Sequence, residues 1–183
     1  MFRRRADRLR AMTVSRGSAV LILAAVVLFL AFPARCQSAP TSGGATVRIT
    51  GKVDKPLVMN EADLQALPHT SLVVTDEKGH HVTYGGVPVA DLLRQAKVPL
   101  GKQLRGPQMR LYVIVEAADG YQAVFALPEF DPGFTDRVII LADRRDGKPL
   151  PPPEGPFRLV VAGEKRRARW VREVTTLGVE QAP

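Results

Sequence analysis

Between Thr46 and Val179 the chain alternates apolar and polar residues in short runs, each broken by glycine, proline or aspartate, and this period of two confines it to sheet-based architectures. "TVRITGKV" sets Val47 and Ile49 on one side and Arg48 and Thr50 on the other, and "SLVVTDEKGHHVTY" reads as two short strands around a turn at residues 77–79. Further strands are expected at 109–117 "MRLYVIVEA", 121–127 "YQAVFAL", 137–143 "RVIILAD" and 157–163 "FRLVVAG", with Asp119-Gly120 as a hairpin-type turn. Two helices interrupt them. "NEADLQALP" opens on Asn60 as an N-cap and stops before Pro68, while "PVADLLRQAKV" starts at Pro88 and lines Val89, Leu92, Leu93 and Ala96 along one face. Runs of strands with a few short helices between them predict an α+β fold with a mixed or antiparallel sheet. Three successive prolines, Pro151 to Pro153, predict a stiff extended loop leading into the 157–163 strand.

The chain begins differently. Arginines crowd the first residues, an apolar run follows from Ala19 to Phe32, and small and polar residues come next. That is the order of a secretory signal peptide, and the run is shorter than the roughly 20 residues of a membrane span. Residues 1–36 are read as the signal peptide, 37–45 ("QSAPTSGGA") as a flexible tether and 46–183 as one domain. The expected location is periplasmic or secreted, with membrane contact only through an uncleaved leader. The formal charge of +8 also belongs mainly to the leader. Seven of the 26 basic and one of the 18 acidic residues lie there, leaving 19 against 17, so the charge gives no support to a nucleic-acid partner. Cys36 is the only cysteine, and the domain beyond it has no thiol for a disulfide.

Most catalytic patterns are absent. His80 and His81 on a strand point to opposite faces and cannot share a metal, and His69 has no ligand-like spacing to either. No G-x-S-x-G occurs, and neither "TSGGA" nor "YGGVP" forms a phosphate loop. What remains is the stretch "GPFRLVVAGEKRRARWVREV", where an apolar strand runs through a glycine into Lys165, Arg166, Arg167, Arg169 and Arg172. It reads equally as a solvated hairpin tip or as an anion socket, in which Arg158, Arg169 and Lys165 grip a phosphate and Trp170 covers a planar ligand. Asp119 and Tyr121 read either as a plain turn or as groups orienting a polar ring.

The order of three segments is similar to the oxidoreductase molybdopterin-binding domain of sulfite-oxidase-like proteins. They are "VTYGGVPVADLLRQAKV", "VIVEAADGYQAVFALPE" and "VIILADRRDGKPLPPPEGPFRLVVAGEKRRARWVREVTTLGV", together covering roughly residues 84 to 179. The resemblance implies a sulfite-oxidase-like α+β fold with an anionic pterin in a polar cleft. It places Arg158 at the arginine of the Pro-x-Arg strand and Arg169-Trp170 at the basic-residue–Trp pair near the pterin phosphate, with Lys165 on the same wall. The cofactor-binding set it implies is Asp119, Tyr121, Arg158, Lys165, Arg169 and Trp170. Catalytic relatives hold molybdenum through a cysteine upstream of the "GVPV" helix, where this chain has none. A soft thiolate has no equivalent among Thr and His, so molybdopterin is the expected cofactor while thiolate-held molybdenum and sulfite-oxidase-type oxygen transfer are not. Without a haem motif, electrons would pass to a separate redox partner protein. A cofactor-free accessory or ligand-binding module stands as the alternative.

Overall fold

The computed structural model describes residues 44–76 and 78–183; the segments read as signal peptide and, up to residue 43, as tether lie outside the described residues. Among the described residues ten strands and two short α-helices follow one another, with single 3-10 turns between them. They are β1 (Thr46–Gly51), β2 (Leu57–Asn60), α1 (Glu61–Gln65), β3 (Thr70–Thr75), β4 (His81–Pro88), α2 (Val89–Gln95), β5 (Leu111–Ala117), β6 (Gln122–Ala126), β7 (Ile139–Arg145), β8 (Lys148–Pro149), β9 (Arg158–Val161) and β10 (Val174–Gln181). Among the described residues no helix is long and apolar enough to cross a membrane.

The strands form two sheets where the sequence suggested one. The first has the order β2-β1-β10-β5-β6, with β1 and β10 parallel and the other pairs antiparallel, so it is mixed as expected. The second runs β3-β4-β7-β8, with β9 also paired to β7. The alternation does what it predicts: Val47 and Ile49 are fully buried, as are Val113, Val115, Leu177 and Val179 beside them. These side chains share one core with Val82, Leu141, Leu159 and Val161 of the second sheet and with Val89, Leu92, Leu93 and Ala96 of α2. Ala45, read as tether, packs against this core.

Local chemistry sets the helix starts. Asn60 caps α1 by accepting from the Asp63 N–H at 2.9 Å, and the Asp63 carboxylate accepts from the Asn60 N–H at 3.0 Å, a reciprocal box that satisfies two otherwise unpaired donors. Pro88 ends β4 and stands at the N-cap of α2, where the missing N–H costs nothing. Three strands escaped the sequence reading: β2, with four residues, β8, with two, and β10. In β10 a bulge between Val174 and Thr176 shifts the register, so its buried residues fall at 174, 177 and 179 rather than on an even spacing.

At Gly86 the backbones of β4 and β7 approach closely. A Cβ there would lie 2.3 Å from the Leu141 carbonyl oxygen and 2.5 Å from the Ala142 Cα, whereas one on Gly85 would meet only the Arg144 Cβ at 3.7 Å. Gly86→Ala is therefore expected to lower stability by about 1–3 kcal/mol, as overpacking does, and Gly85→Ala to leave it nearly unchanged. Denaturant midpoints of the two variants check this; equal midpoints would contradict the packing.

Candidate functional site

The basic segment is not a hairpin tip. β9 belongs to the second sheet and β10 to the first, so residues 162–173 form a crossover between sheets. Gly163 turns the chain out of β9 at φ +73°, a left-handed conformation that suits glycine. The loop then folds back along the strand it left: the Leu159 N–H donates to the Val171 carbonyl at 2.8 Å and the Val174 N–H to the Phe157 carbonyl at 2.9 Å. This return seats Trp170 in the interior above Arg158, whose Cζ lies 5.6 Å from the indole centroid.

Arg158 is carried inward at the start of β9, whose four residues are all buried. Its charge is met by Glu154, at 2.8 Å from Nη1, and the same nitrogen donates to the Tyr84 hydroxyl at 3.2 Å. The Tyr84 hydroxyl in turn donates to Glu154 at 3.2 Å, and Arg145 Nη1 donates to the other oxygen of that carboxylate at 2.9 Å. The proline loop presents Glu154, and its N–H closes onto the Pro151 carbonyl at 2.8 Å. Tyr84 meets Trp170 edge to face at 6.0 Å. Burial pushes the Tyr84 phenol above its ordinary value; Arg158 opposes this and Glu154 reinforces it.

Arg169, next to Trp170 in sequence, points elsewhere. It donates to Glu164 through Nε at 2.8 Å and through Nη2, reaches Glu129 through Nη1 at 3.0 Å, and lies over the Phe125 ring with Cζ at 4.3 Å. Burial lowers the affinity of this guanidinium for its proton, but the bonds to the two carboxylates outweigh it and hold the charge more firmly than usual. Arg158 and Arg169, both expected to grip a ligand phosphate, are thus each neutralised by carboxylates of the protein itself. Glu154 and Glu164 stand close to them in sequence and could have signalled this; Glu129, forty residues away, could not.

The remaining expected residues gather around Trp170 from two sides. Asp119 accepts the Tyr121 N–H at 2.9 Å within the β5–β6 turn, and the Tyr121 hydroxyl donates to the Ala168 carbonyl at 2.7 Å, tying that turn to the basic loop. Together with Trp170 and Arg172 they border a recess of about 170 Å³. Lys165 lies on the other side, in a cleft of about 600 Å³ between the end of β3 and the loop, which Arg166, Arg167, Glu164 and Trp170 also line. Arg167 spans both: its Cζ is 4.8 Å from the indole centroid and its Nη2 donates to the Thr75 carbonyl at 2.5 Å. Among the described residues no carboxylate lies within ion-pair distance of Lys165, Arg166 or Arg167. Asp76, the other acid on the cleft wall, is turned into its own turn. The N–H of His80, joined by that of Lys78, holds its carboxyl below the usual carboxylate value. Three buried polar atoms have no partner among the described residues: Arg158 Nε, Glu164 Oε2 and Trp170 Nε1.

The histidines gather no metal donors. His80 flanks the β3–β4 turn, His81 starts β4 and His69 contacts Asp143 at 3.2 Å; among the described residues no group of three or more His, Cys, Asp or Glu side chains stands close enough to hold a metal ion.

A family model described as the oxidoreductase molybdopterin-binding domain matches residues 39–183. The chain belongs to this family. Among solved structures it is similar to the crystal structure of the sulfane dehydrogenase SoxCD from Paracoccus pantotrophus, with a TM-score of 0.58 and 24% identity. The alignment covers 77% of this chain and 39% of the SoxCD chain, so the likeness is one of fold over part of a longer protein. No curated protein matches the chain significantly. The molybdopterin-binding domain described here is thus α+β and sulfite-oxidase-like, as its motif order implied.

Removing the carboxylate beneath Arg158 leaves a buried cation unpaired. Glu154→Gln is therefore expected to cost about 3 kcal/mol in chemical denaturation, and a loss below about 1 kcal/mol would show that water already screens the pair. Tyr84 gives a second test. Because the folded protein holds its phenol protonated, its contribution to stability is intact below the ordinary value of about 10 and fades as pH rises through the higher folded value. Phenolate absorbance should show a step above the ordinary phenol value, and Tyr84→Phe should remove it.

Proposed function

We propose that this molybdopterin-binding domain is exported and binds a pterin-type cofactor or a related small anion in the cleft between the end of β3 and the basic loop. Lys165, Arg166 and Arg167 supply the positive charge. The observation that carries this reading is the combination of those three cations with two orphaned buried atoms on residues of the same wall, the Trp170 Nε1 donor and the Glu164 Oε2 acceptor. An unmade hydrogen bond in the interior costs about 1–3 kcal/mol; both atoms lie beneath the cleft wall without solvent contact, so a ligand bearing acceptors and N–H donors relieves them where it displaces that wall. A bare phosphate satisfies only the cations and the indole. A heterocycle with an amide-like edge and a phosphate tail satisfies the whole set, so the pterin end of molybdopterin fits these residues.

The metal end does not fit. The sole cysteine, Cys36, lies outside the described residues, and among the described residues the histidines and acids around the cleft form no ligand cluster. Molybdenum bound through a protein thiolate, and the oxygen transfer it supports, are not part of this proposal.

A second reading, a cofactor-free accessory module working beside a redox partner, is favoured by one specific fact. The two arginines that the family motif would assign to the phosphate are paired within the protein. In that reading the three outer cations are ordinary surface charge.

Calorimetric titration of the purified protein with a reduced pterin phosphate, and separately with inorganic phosphate, distinguishes the readings. The double variant Lys165→Ala, Arg166→Ala should bind the pterin phosphate about tenfold more weakly or worse, consistent with loss of two charge-assisted contacts, while unfolding at an unchanged midpoint. Equal affinity in the variant, or no binding by the parent, favours the accessory module.

A further inference from the structure

β3 ends its sheet, and beyond the Arg167 side chain that reaches Thr75 it has no charge, proline or bulge of its own to protect the edge. Its sequence, "TSLVVT", has no charge and no proline, and its register with β4 runs unbroken from Thr70 opposite Gly86 to Thr75 opposite His81. The direction of its main-chain groups follows from two bonds. The Asp76 N–H donates to the His80 carbonyl at 2.8 Å, within the hairpin, whereas the Thr75 carbonyl accepts from Arg167 on the opposite side. Because main-chain groups alternate sides along a strand, those of Ser71, Val73 and Thr75 face away from β4. Only the Thr75 carbonyl has a partner there among the described residues. The Val73 side chain is 66% exposed beside this edge, while Leu72 and Val74 pack against the core.

We infer that the free edge of β3 is a docking strand for an extended, acidic segment of a partner protein, which adds to the sheet beside Ser71–Thr75. Main-chain bonds would give the affinity and side chains the selection, as in other cases of strand addition. Charge decides the occupant. Lys165, Arg166 and Arg167 stand at the Thr75 end without acidic partners among the described residues, so an incoming strand with carboxylates at that end is attracted and a basic one repelled. An apolar residue of the same strand covers Val73. The inference goes beyond the pterin reading and is argued from the main chain of β3; because Val73 and Thr75 also line the cleft and the same three cations face both ligands, peptide and pterin phosphate compete there, and binding of the peptide without binding of the pterin phosphate separates the two readings.

The probe is an acetylated peptide of alternating valine and glutamate, with the valine–lysine peptide as counterpart. Both are titrated into the intact chain by fluorescence anisotropy and followed by amide hydrogen exchange. The acidic peptide should bind, slow exchange at Ser71, Val73 and Thr75, and lose affinity by about tenfold or more in Val73→Glu, which puts a like charge on the edge without touching the β3–β4 ladder. The basic peptide should not bind. Lys165→Glu tests charge selection separately and should weaken the acidic peptide while leaving the protein folded. Absence of binding, binding that leaves those amides unprotected, or equal binding of both peptides overturns the inference. So does a concentration-dependent dimer of the chain alone that protects the same amides, because the edge would then serve a second copy.

Discussion

The Glu154 carboxylate holds the site together. β9 takes a guanidinium into a core of valines and leucines, where an unpaired charge would cost several kcal/mol, and Glu154 meets it at 2.8 Å while also accepting from Tyr84 and Arg145. Three separate parts of the chain, β4, the end of β7 and β9, converge on one side chain delivered by the proline loop. Trp170 then closes over Arg158 and against Tyr84, and the crossover from one sheet to the other is fixed in place. The position of the outer cations follows, because Lys165, Arg166 and Arg167 belong to the loop that Trp170 anchors.

The positive charge of the loop is therefore layered. Arg158 is buried and Arg169 half-buried, each balanced by carboxylates, and they organise the wall; Lys165 and Arg166 are exposed, Arg167 is half-buried, and none of these three has an acidic partner among the described residues. Inner pairs of this kind are screened little by salt, while the outer cations are within reach of any anion from solvent. A family motif that names arginines does not by itself say which layer they occupy.

Much of this was legible in the sequence and some was not. The strands with unbroken alternation, the Asn60 cap and the apolar face of α2 announce themselves because local pattern and burial agree. β10 does not, since its bulge breaks the period and Gly178 interrupts the apolar run. The ordered motifs carried the family and the fold. For the site they named Trp170 and Lys165, which line a cleft, yet a reading that weighs only cations overlooks the glutamates interleaved with them. Tyr84 and Glu129 join the site only through tertiary contacts across long sequence separations, which spacing along the chain does not encode. The division into two sheets was hidden for the same reason: it depends on where the 162–173 crossover leads.

The central claim is that the cleft accepts a pterin through the loop cations and the Trp170–Glu164 wall without a thiolate to hold a metal. It is tested most directly on protein produced in a host that makes molybdopterin, by fluorescence of the released, oxidised pterin together with elemental analysis for molybdenum. The account predicts pterin in well-folded protein with molybdenum far below one equivalent. Absence of pterin, in a host that demonstrably loads a related enzyme, would contradict the cleft assignment, and stoichiometric molybdenum would contradict the argument from the missing thiolate.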